Sequence, residues 1–216
     1  HINELNEMDG LPHLEMGIAI NTGSVVVGNI GSEKRSKYGV VGSQVNFTGR
    51  MESFTTGGQV LVSQSTYDKL ADRLDIKSTL SVEMKGVVGK VSLYQVIGIR
   101  GDHSVRLSDR CYKLKDLGKP MKVCFYGMES KIIDENMRRG DIVRLSPTNA
   151  VIRTMDDIGQ WEDLRMTLCD PEYEGFGEMY GKIVSVEIID GHNFAMARFT
   201  SVAPQIYKVF REALST

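Results

Sequence analysis

Alternating apolar and polar positions predict strands interleaved with helices over the first hundred residues, as in an α/β or α+β layered domain. Residues 14–21 carry an apolar side chain at every second position, and β-branched residues crowd 25–30, so both are predicted strands. Residues 1–11 have the spacing of a helix tail, and the polar, basic stretch 31–37 is predicted to be an exposed loop. The other predicted elements are a strand at 38–41, a helix at 45–54, a strand at 59–62, a helix from Ser63 or Ser65 to 71, and strands at 74–84 and 91–99.

The pattern changes beyond residue 100. Residues 101–119 are charged, lack clean periodicity and are predicted to be a linker. Short strands follow, and Pro204 opens a helix whose apolar residues fall on one side. The strands are expected near 121–126, 141–145, 150–154, 164–168, 181–189 and 194–200. This order predicts a small barrel or sandwich, with domains at 1–100 and 120–216.

Composition excludes some classes of function. The 26 Lys and Arg residues are balanced by 28 Asp and Glu, and a net charge of -2 gives no electrostatic case for binding nucleic acid. No run of about 18 apolar residues occurs, and the polar, acidic amino end lacks the apolar core of a signal peptide. We therefore expect a cytoplasmic chain that makes no membrane contact of its own.

Cysteine usage fits a cytoplasmic location. Cys111, Cys124 and Cys169 are odd in number and share no CxxC or Cys/His spacing, which favours reduced thiols. The chain begins with His1 rather than methionine, so we expect it to be a piece of a longer protein. An upstream region of that parent could attach it to a membrane.

A glycine-rich stretch followed by a polar pair is the strongest chemical feature of the chain. Glycines at 23, 28, 31 and 42 precede Asn46 and Arg50, which share one face if 45–54 is helical. A guanidinium offers a rigid fork of donors and a permanent charge, so the pair suits a polyphosphate. The same spacing also fits an ordinary solvated surface pair.

The whole string resembles the catalytic domain of the class III adenylate and guanylate cyclases, in which the pattern R-x-x-Y-x-V-x-G-x-x-V-N-x-x-x-R follows a glycine-rich strand. The matching residues are Gly17, Ile18, Gly23, Val25, Gly28, Asn29, Gly31, Arg35, Tyr38, Val40, Gly42, Val45, Asn46 and Arg50, then 58–63, Lys85-Gly86 and 93–96. The likeness covers about residues 11–99. It implies an α+β fold, here a partial ferredoxin-like core with a mixed sheet.

The resemblance also implies roles for individual residues. Asn46 would orient the ribose, and Arg50 would stabilise charge developing on the phosphoryl oxygens. Lys85 would hold the terminal phosphates, although Lys90 lies in the same turn; Lys34 or Arg35 is a further candidate for phosphate contact. The base-selecting position is Gly39, which has no side chain to read the base. ATP is therefore expected only because adenylate cyclases are common among such sequences.

Two features that the family requires lie outside this chain. Two aspartates hold Mg²⁺ or Mn²⁺ in the family, both upstream of anything that matches Leu14, and neither is present here. The family's site lies at a dimer interface, with the aspartates of one subunit facing the Asn and Arg of the other. We therefore expect a homodimeric parent that acts on a nucleoside triphosphate, and a chain that is inactive as given.

The second half resembles a PilZ domain, a six-stranded barrel with a carboxy-terminal helix. The likeness rests on the order of elements, the SPTNAVIRT and GKIVSVEI stretches and the ARFTSVAPQIYKVFREAL ending, over about 120–214. Such domains often bind cyclic di-GMP through an R-x-x-x-R arm and a D/N-x-S-x-x-G turn. Arg106, Arg110 and Ser146 fit parts of these motifs. The turn lacks its acidic or amide residue and its glycine, which favours a structural or interaction role over ligand binding.

Two hypotheses remain open at this point. In one, the parent is a nucleotide cyclase and this chain is the later part of its catalytic domain with an accessory barrel. In the other, a non-catalytic cyclase-like module dimerises or binds nucleotide while the barrel relays a signal. Asn46, Arg50 and Lys85 favour the first; Gly39 and the missing aspartates favour the second. The four histidines form no ligand spacing and no G-x-S-x-G occurs, so a metallohydrolase or acyl transferase has no support.

Overall fold

The computed structural model describes residues 2–11, 14–32, 34–107, 112–129 and 132–215. The chain divides into two compact units, one formed by residues 16–109 and the other by 1–15 together with 110–216. No helix among the described residues is long and apolar enough to cross a bilayer. The first helix, α1 (Ile2–Met8), groups with residues 110–216.

Polar contacts explain why the amino-terminal segment groups with the barrel. The Asn3 side chain donates to the Leu14 carbonyl at 2.9 Å and accepts from the Leu14 amide at 2.7 Å, which closes the segment on itself. Arg198 then contributes an ion pair to the Glu15 carboxylate, with Nη2 and Oε2 3.1 Å apart. Both side chains are largely shielded from solvent, so this pair is less screened than an exposed one.

The unit 16–109 is built on a sheet in the order β1-β4-β6-β5, with β7 paired to β6. Strand β1 runs parallel to β4 and the other pairs are antiparallel. Its elements are β1 (Ile18–Ile20), β2 (Val26–Ser32), β3 (Arg35–Val41), α2 (Ser43–Glu52), β4 (Val60–Ser63), α3 (Gln64–Leu70), β5 (Leu74–Glu83), β6 (Lys90–Ile99) and β7 (Val105–Arg106). Its buried side chains include Met51, Leu61 and Leu93, which are fully inaccessible. Strands β2 and β3 form a separate hairpin.

Three sequence predictions for this unit and its border need correction. The strand predicted at 14–21 is confined to Ile18–Ile20, because Leu14 bonds to Asn3 instead of a neighbouring strand. The loop predicted at 31–37 is mostly strand, since the hairpin register continues through Gly31↔Ser36. The predicted linker 101–119 contains β7 and the start of the long strand β8 (Lys115–Glu129). The last two predictions were wrong because they interpreted polar, basic residues as irregular structure, whereas exposed strands also carry such residues.

The second unit is a closed barrel. Strands pair in the order β10-β11-β14-β13-β12-β8, and a further β10–β8 pairing completes the ring. The elements after β8 are β9 (Ile132–Ile133), β10 (Arg138–Leu145), β11 (Asn149–Thr154), β12 (Asp163–Leu168), a 3₁₀ turn (Pro171–Tyr173), β13 (Met179–Ile189), β14 (His192–Val202) and α4 (Pro204–Ser215). This confirms the predicted barrel of six strands and its final helix, with strand ends displaced by a few residues.

Alternate side chains of the barrel strands fill its interior, as the period of a strand requires. Phe125, Ile142 and Leu164 are among the fully buried residues. Helix α4 packs on this core through Ile206 and Phe210, and the Phe210 ring lies 5.4 Å from that of Phe199. The predicted apolar face of the helix is therefore the face that it buries.

A disulfide joins two neighbouring strands of the barrel, which corrects the expectation of reduced thiols. Cys124 on β8 is bonded to Cys169 just beyond β12, with their Cα atoms 5.9 Å apart. The two residues are 45 positions apart in sequence, and only the β8–β12 pairing brings them together. Spacing alone therefore carried no signal of the bond. Cys111 lies outside the described residues.

A polar network links neighbouring strands β12 and β13 of the barrel. Glu178 accepts hydrogen bonds from the Arg165 guanidinium and from the Tyr180 hydroxyl, the latter at 2.5 Å. These bonds, that of Arg165 above all, lower the pKa of Glu178 below its ordinary value, and the bond to Glu178 raises the pKa of Tyr180. The Arg165 guanidinium also lies over the Tyr126 ring at 5.9 Å.

Replacing Glu178→Gln tests this network through its pH dependence. Because the folded pKa of Glu178 lies below its ordinary value of 4.5, the ionised carboxylate stabilises the fold above that pH, and this stabilisation is lost as the pH falls through the lowered value. We expect the free energy of unfolding to fall more steeply below pH 4.5 in the wild type than in the variant. Urea unfolding across this range measures the difference. Glu187→Gln removes a carboxylate outside the network, and an equal loss of pH dependence in both variants would contradict the assignment.

Candidate active site

Helix α2 presents Asn46 and Arg50 on an exposed face. It follows Gly42, whose φ of 147° favours glycine and whose carbonyl accepts the amides of Val45 and Asn46 at 3.1 and 3.3 Å. Met51 is fully buried on another face of the helix. Asn46 and Arg50 stay exposed one turn apart, as their spacing predicts.

The Arg50 side chain reaches from α2 to the turn between β5 and β6. A Cβ atom placed on Gly86 would lie 3.1 Å from Nη1 and 3.7 Å from Cζ of Arg50, so the guanidinium lies directly against this glycine. Gly86 also has a φ of +73°, which L side chains rarely adopt. The turn is closed by the Val87 amide, which donates to the Met84 carbonyl at 3.0 Å. Arg50 is therefore adjacent to the turn that carries Lys85.

The start of α2 is fixed by contacts that sequence spacing did not reveal. Asn21, at the end of β1, donates through its amide group to Oε1 of Gln44 at 2.9 Å. A Cβ atom on Gly23 would approach Cγ of the same Gln44 within 2.5 Å, so only glycine fits there without a shift. One of the motif glycines thus serves close packing between the β1 turn and the helix. Asn21 and Gln44 are 23 positions apart, so no local sequence pattern reveals this contact.

The remaining candidates of this unit lie on the hairpin. Lys34 and Arg35 are at its exposed tip, and Gly39 is paired with Gly28 between the strands. A Cβ atom on Gly39 would meet only the end of Ile30, at the ordinary contact distance of 3.5 Å. A side chain would therefore fit at position 39, and glycine is not required there by packing. The roles expected for these three residues stay predictions.

A site for divalent ions is not formed by the side chains described. Nowhere in residues 2–11, 14–32, 34–107, 112–129 and 132–215 do three His, Cys, Asp or Glu residues cluster closely enough to hold a metal ion. The residues near Arg50 therefore do not fit the ligand set that the resemblance implies for Mg²⁺ or Mn²⁺.

The residues expected for cyclic di-GMP fall in different parts of the molecule. Arg106 lies on β7 in unit 16–109, where its Nη1 atom is 3.7 Å from the Asp75 carboxylate. Ser146 is fully buried in the β10–β11 turn, and its hydroxyl accepts the Asn149 amide at 3.0 Å. That hydroxyl therefore stabilises its own turn. Arg110 lies outside the described residues.

The glycine-rich strands, the helix with Asn46 and Arg50, and the turn with Lys85 form one contiguous region. Residues 1–98 match the family profile described as the adenylate and guanylate cyclase catalytic domain. This cyclase match ends at β6, so the barrel strands lie outside it.

Curated relatives and solved structures of cyclases are similar to part of this chain. Adenylate cyclase 1 of Rhizobium meliloti is 28% identical over 99 residues, which are 45% of this chain and 15% of that protein. The receptor-type guanylate cyclase gcy-28 of Caenorhabditis elegans is 44% identical over 79 residues, or 35% of this chain and 6% of that protein. The structure of the guanylyl cyclase Cya2 is 50% identical, covers 50% of this chain and 54% of its own, and has a TM-score of 0.45. The chain thus spans less than a fifth of either curated relative.

Substituting Gly86→Ala tests the contact with Arg50. Alanine would occupy a left-handed conformation, at a cost of about 1 kcal/mol in the free energy of unfolding, and its Cβ would also displace the guanidinium. Gly89→Ala is the matched control, because Gly89 has a φ of +83° but open space around its Cβ position. We expect similar stability losses in urea unfolding, but a shift of the Arg50 side-chain N–H resonances in NMR spectra only for Gly86→Ala. Unchanged Arg50 resonances in that variant would refute the contact.

Proposed function

We propose that residues 16–109 supply the triphosphate-binding part of a nucleotide cyclase site that converts ATP to cyclic AMP and pyrophosphate for intracellular signalling. The observation that carries the proposal is the approach of the Arg50 guanidinium to the Lys85–Gly86 turn. The Arg50 side chain of α2 therefore lies next to the turn in which Lys85 immediately precedes Gly86. Such an arrangement suits a chain of phosphates better than a single anion.

Each residue has a distinct part in the proposed reaction. The ribose 3′-hydroxyl attacks the α-phosphorus, and the bond to the leaving pyrophosphate breaks. Asn46, one turn before Arg50 on α2, offers an amide to position the ribose. Arg50 donates to the phosphoryl oxygens as negative charge develops on them. Lys85 holds the terminal phosphates and so orients the leaving group.

The proposal requires groups that the described residues do not provide. Cyclisation of this kind uses divalent ions to bring the nucleophile and the phosphates together. As the resemblance to class III cyclases implies, we assign the metal ligands to residues outside this chain. The 216 residues alone are then expected to bind the nucleotide but not to cyclise it.

A second candidate function is a non-catalytic module that binds nucleotide or dimerises. Gly39 favours this reading, because packing would admit a side chain at the base-selecting position and none is present. The same observation leaves the choice between ATP and GTP to measurement. In both readings we propose that the barrel is an accessory PilZ-like domain, a resemblance that rests on the order of elements along the chain. The bonds that Ser146 makes within its turn argue against cyclic di-GMP binding there.

Binding of ATP by single variants tests the proposed site. Arg50→Ala and Lys85→Ala each remove a charge-assisted contact and should weaken ATP binding about tenfold or more, as measured by calorimetry. Lys90→Ala is the matched control, since Lys90 closes the same turn at the first residue of β6. If Lys90→Ala weakens ATP binding as much as Lys85→Ala does, the loss reflects the overall positive charge, and the proposed site is wrong. Incubation with ATP or GTP and Mn²⁺ should give no cyclic nucleotide, and product formation would overturn the assignment of the metal ligands.

We also propose that the cyclase-like unit forms a homodimer through the β2–β3 hairpin. Large apolar side chains of this hairpin are exposed on both of its faces, including Tyr38 at 76% and Val26 at 67%. A two-stranded ribbon with such residues buries little by itself, so a covering surface would stabilise it. A second copy of the same hairpin provides a self-complementary apolar surface.

Replacing Tyr38→Ser should weaken this dimer. Loss of a central aromatic contact raises the dimer dissociation constant by about tenfold, as measured by sedimentation equilibrium. Ile188→Ser on the barrel is the control, because Ile188 has the same exposed fraction of 76%. A wild-type chain that stays monomeric at high concentration, or a control that weakens association equally, would contradict the hairpin interface.

A further inference from the structure

A cavity of about 890 Å³ lies on the outer face of the barrel, and both bonded cysteines line it. Cys124 is half-buried on β8, whereas Cys169 is exposed just beyond the end of β12. The cavity falls within the size range of small-molecule sites. A disulfide at its wall is therefore open to reagents of that size.

Two cationic residues share the barrel face that carries the half-buried Cys124. Arg139 on β10 is the direct cross-strand partner of Cys124, so the two side chains lie on the same face of the barrel. Lys122 lies two residues before Cys124 and shares that face. All three residues line the cavity.

The charges of this cavity are only partly neutralised. Asp141 is paired with Arg153 at 2.8 Å, and the Asp156 carboxylate accepts the backbone amide of Arg139 at 2.8 Å. The Lys122 ammonium is 3.9 Å from Asp170, a weak contact. Within the part of the chain that the structure describes, no carboxylate pairs with the Arg139 guanidinium. The positive charge beside Cys124 is therefore available to an anion or to a thiolate.

We propose that Cys124 and Cys169 are a reversible thiol–disulfide site that exchanges with a small anionic thiol bound in this cavity. The geometry defines the order of events. Cys169 is the exposed residue of the pair and is the one attacked, and the half-buried Cys124, the cross-strand partner of Arg139, supplies the leaving sulfur. A cation next to the departing thiolate lowers its pKa and speeds its departure.

The exchange balances with two equivalents of the small thiol. A thiolate attacks the Sγ atom of Cys169, the protein disulfide breaks, and Cys124 leaves as a thiolate. A second thiolate attacks the outer sulfur of the mixed disulfide and releases Cys169, which yields the symmetrical disulfide of the small thiol. The protein pair gains two electrons, and its thiolates take protons from water according to their pKa values. The reverse sequence re-forms the bond.

Equilibration with glutathione tests reversibility on the full chain. A Cys111→Ser background leaves only the two bonded cysteines to report. We expect alkylation and intact-mass measurements to show a disulfide in oxidised glutathione, free thiols in reduced glutathione, and recovery of the bond on return. A bond that never forms, or one that resists excess reduced glutathione, would overturn the proposal.

The role of Arg139 is tested by comparing two thiols. Glutathione is anionic and 2-mercaptoethanol is neutral, so Arg139→Gln should remove the preference for glutathione. It should also slow reduction of the disulfide by about threefold, which is the effect of a change of about one pKa unit in a reacting thiol. Arg144→Gln is the control, because it removes a charge from the same strand at a residue paired with Asp116. Quenching the reactions at set times and measuring the protein by mass spectrometry gives the rates. Wild-type and Arg139→Gln rates that agree for both thiols would refute the cationic site.

Discussion

The burial of Met51 is the constraint on which the candidate active site depends. Its side chain is fully inaccessible, so packing restricts the rotation of α2 about its axis. The helix period sets the angles of Asn46 and Arg50 about the helix axis relative to Met51, so the burial of Met51 also determines the side of α2 on which they lie. Gly42 at one end and the Asn21–Gln44 bond fix where the helix starts. The polar residues are thus positioned by apolar ones, which leaves their own hydrogen-bonding groups available to a ligand.

Much of this arrangement was predictable because its signals are local. Each of these signals lies within a few adjacent residues. Examples are the period of two in the barrel strands, the helix after Gly42 and the Ser63 cap, whose hydroxyl accepts the Thr66 amide. The barrel and its final helix followed from counting such elements. The sequence predictions were wrong where a polar stretch was interpreted as irregular structure. The strands that lie within 31–37 and 101–119 are exposed and carry polar residues, and polarity alone does not separate an exposed strand from a loop.

The contacts that give the site its chemistry were not predictable, because they join residues distant in sequence. Arg50 meets Gly86 across 36 positions, and this follows only from the placement of α2 beside the β5–β6 turn. The cysteine pair depends in the same way on β8 and β12 being neighbours. In both cases the residue types were visible in the chain. Their partners became known only with the topology, which sequence periodicity does not encode.

The closed ring of the barrel has a consequence for how the chain is made. Strand β8 pairs with β10 and β12, while β14 fills the gap between β11 and β13. Until β14 is available, one edge of β11 and one edge of β13 stay unpaired, and the barrel interior remains accessible to water. A ribosome must therefore release residues up to about 202 before the ring can close. Such non-local closure is slow compared with helix formation. During synthesis the open edges are a template for pairing with other chains, so the unit depends on completing its last strand promptly.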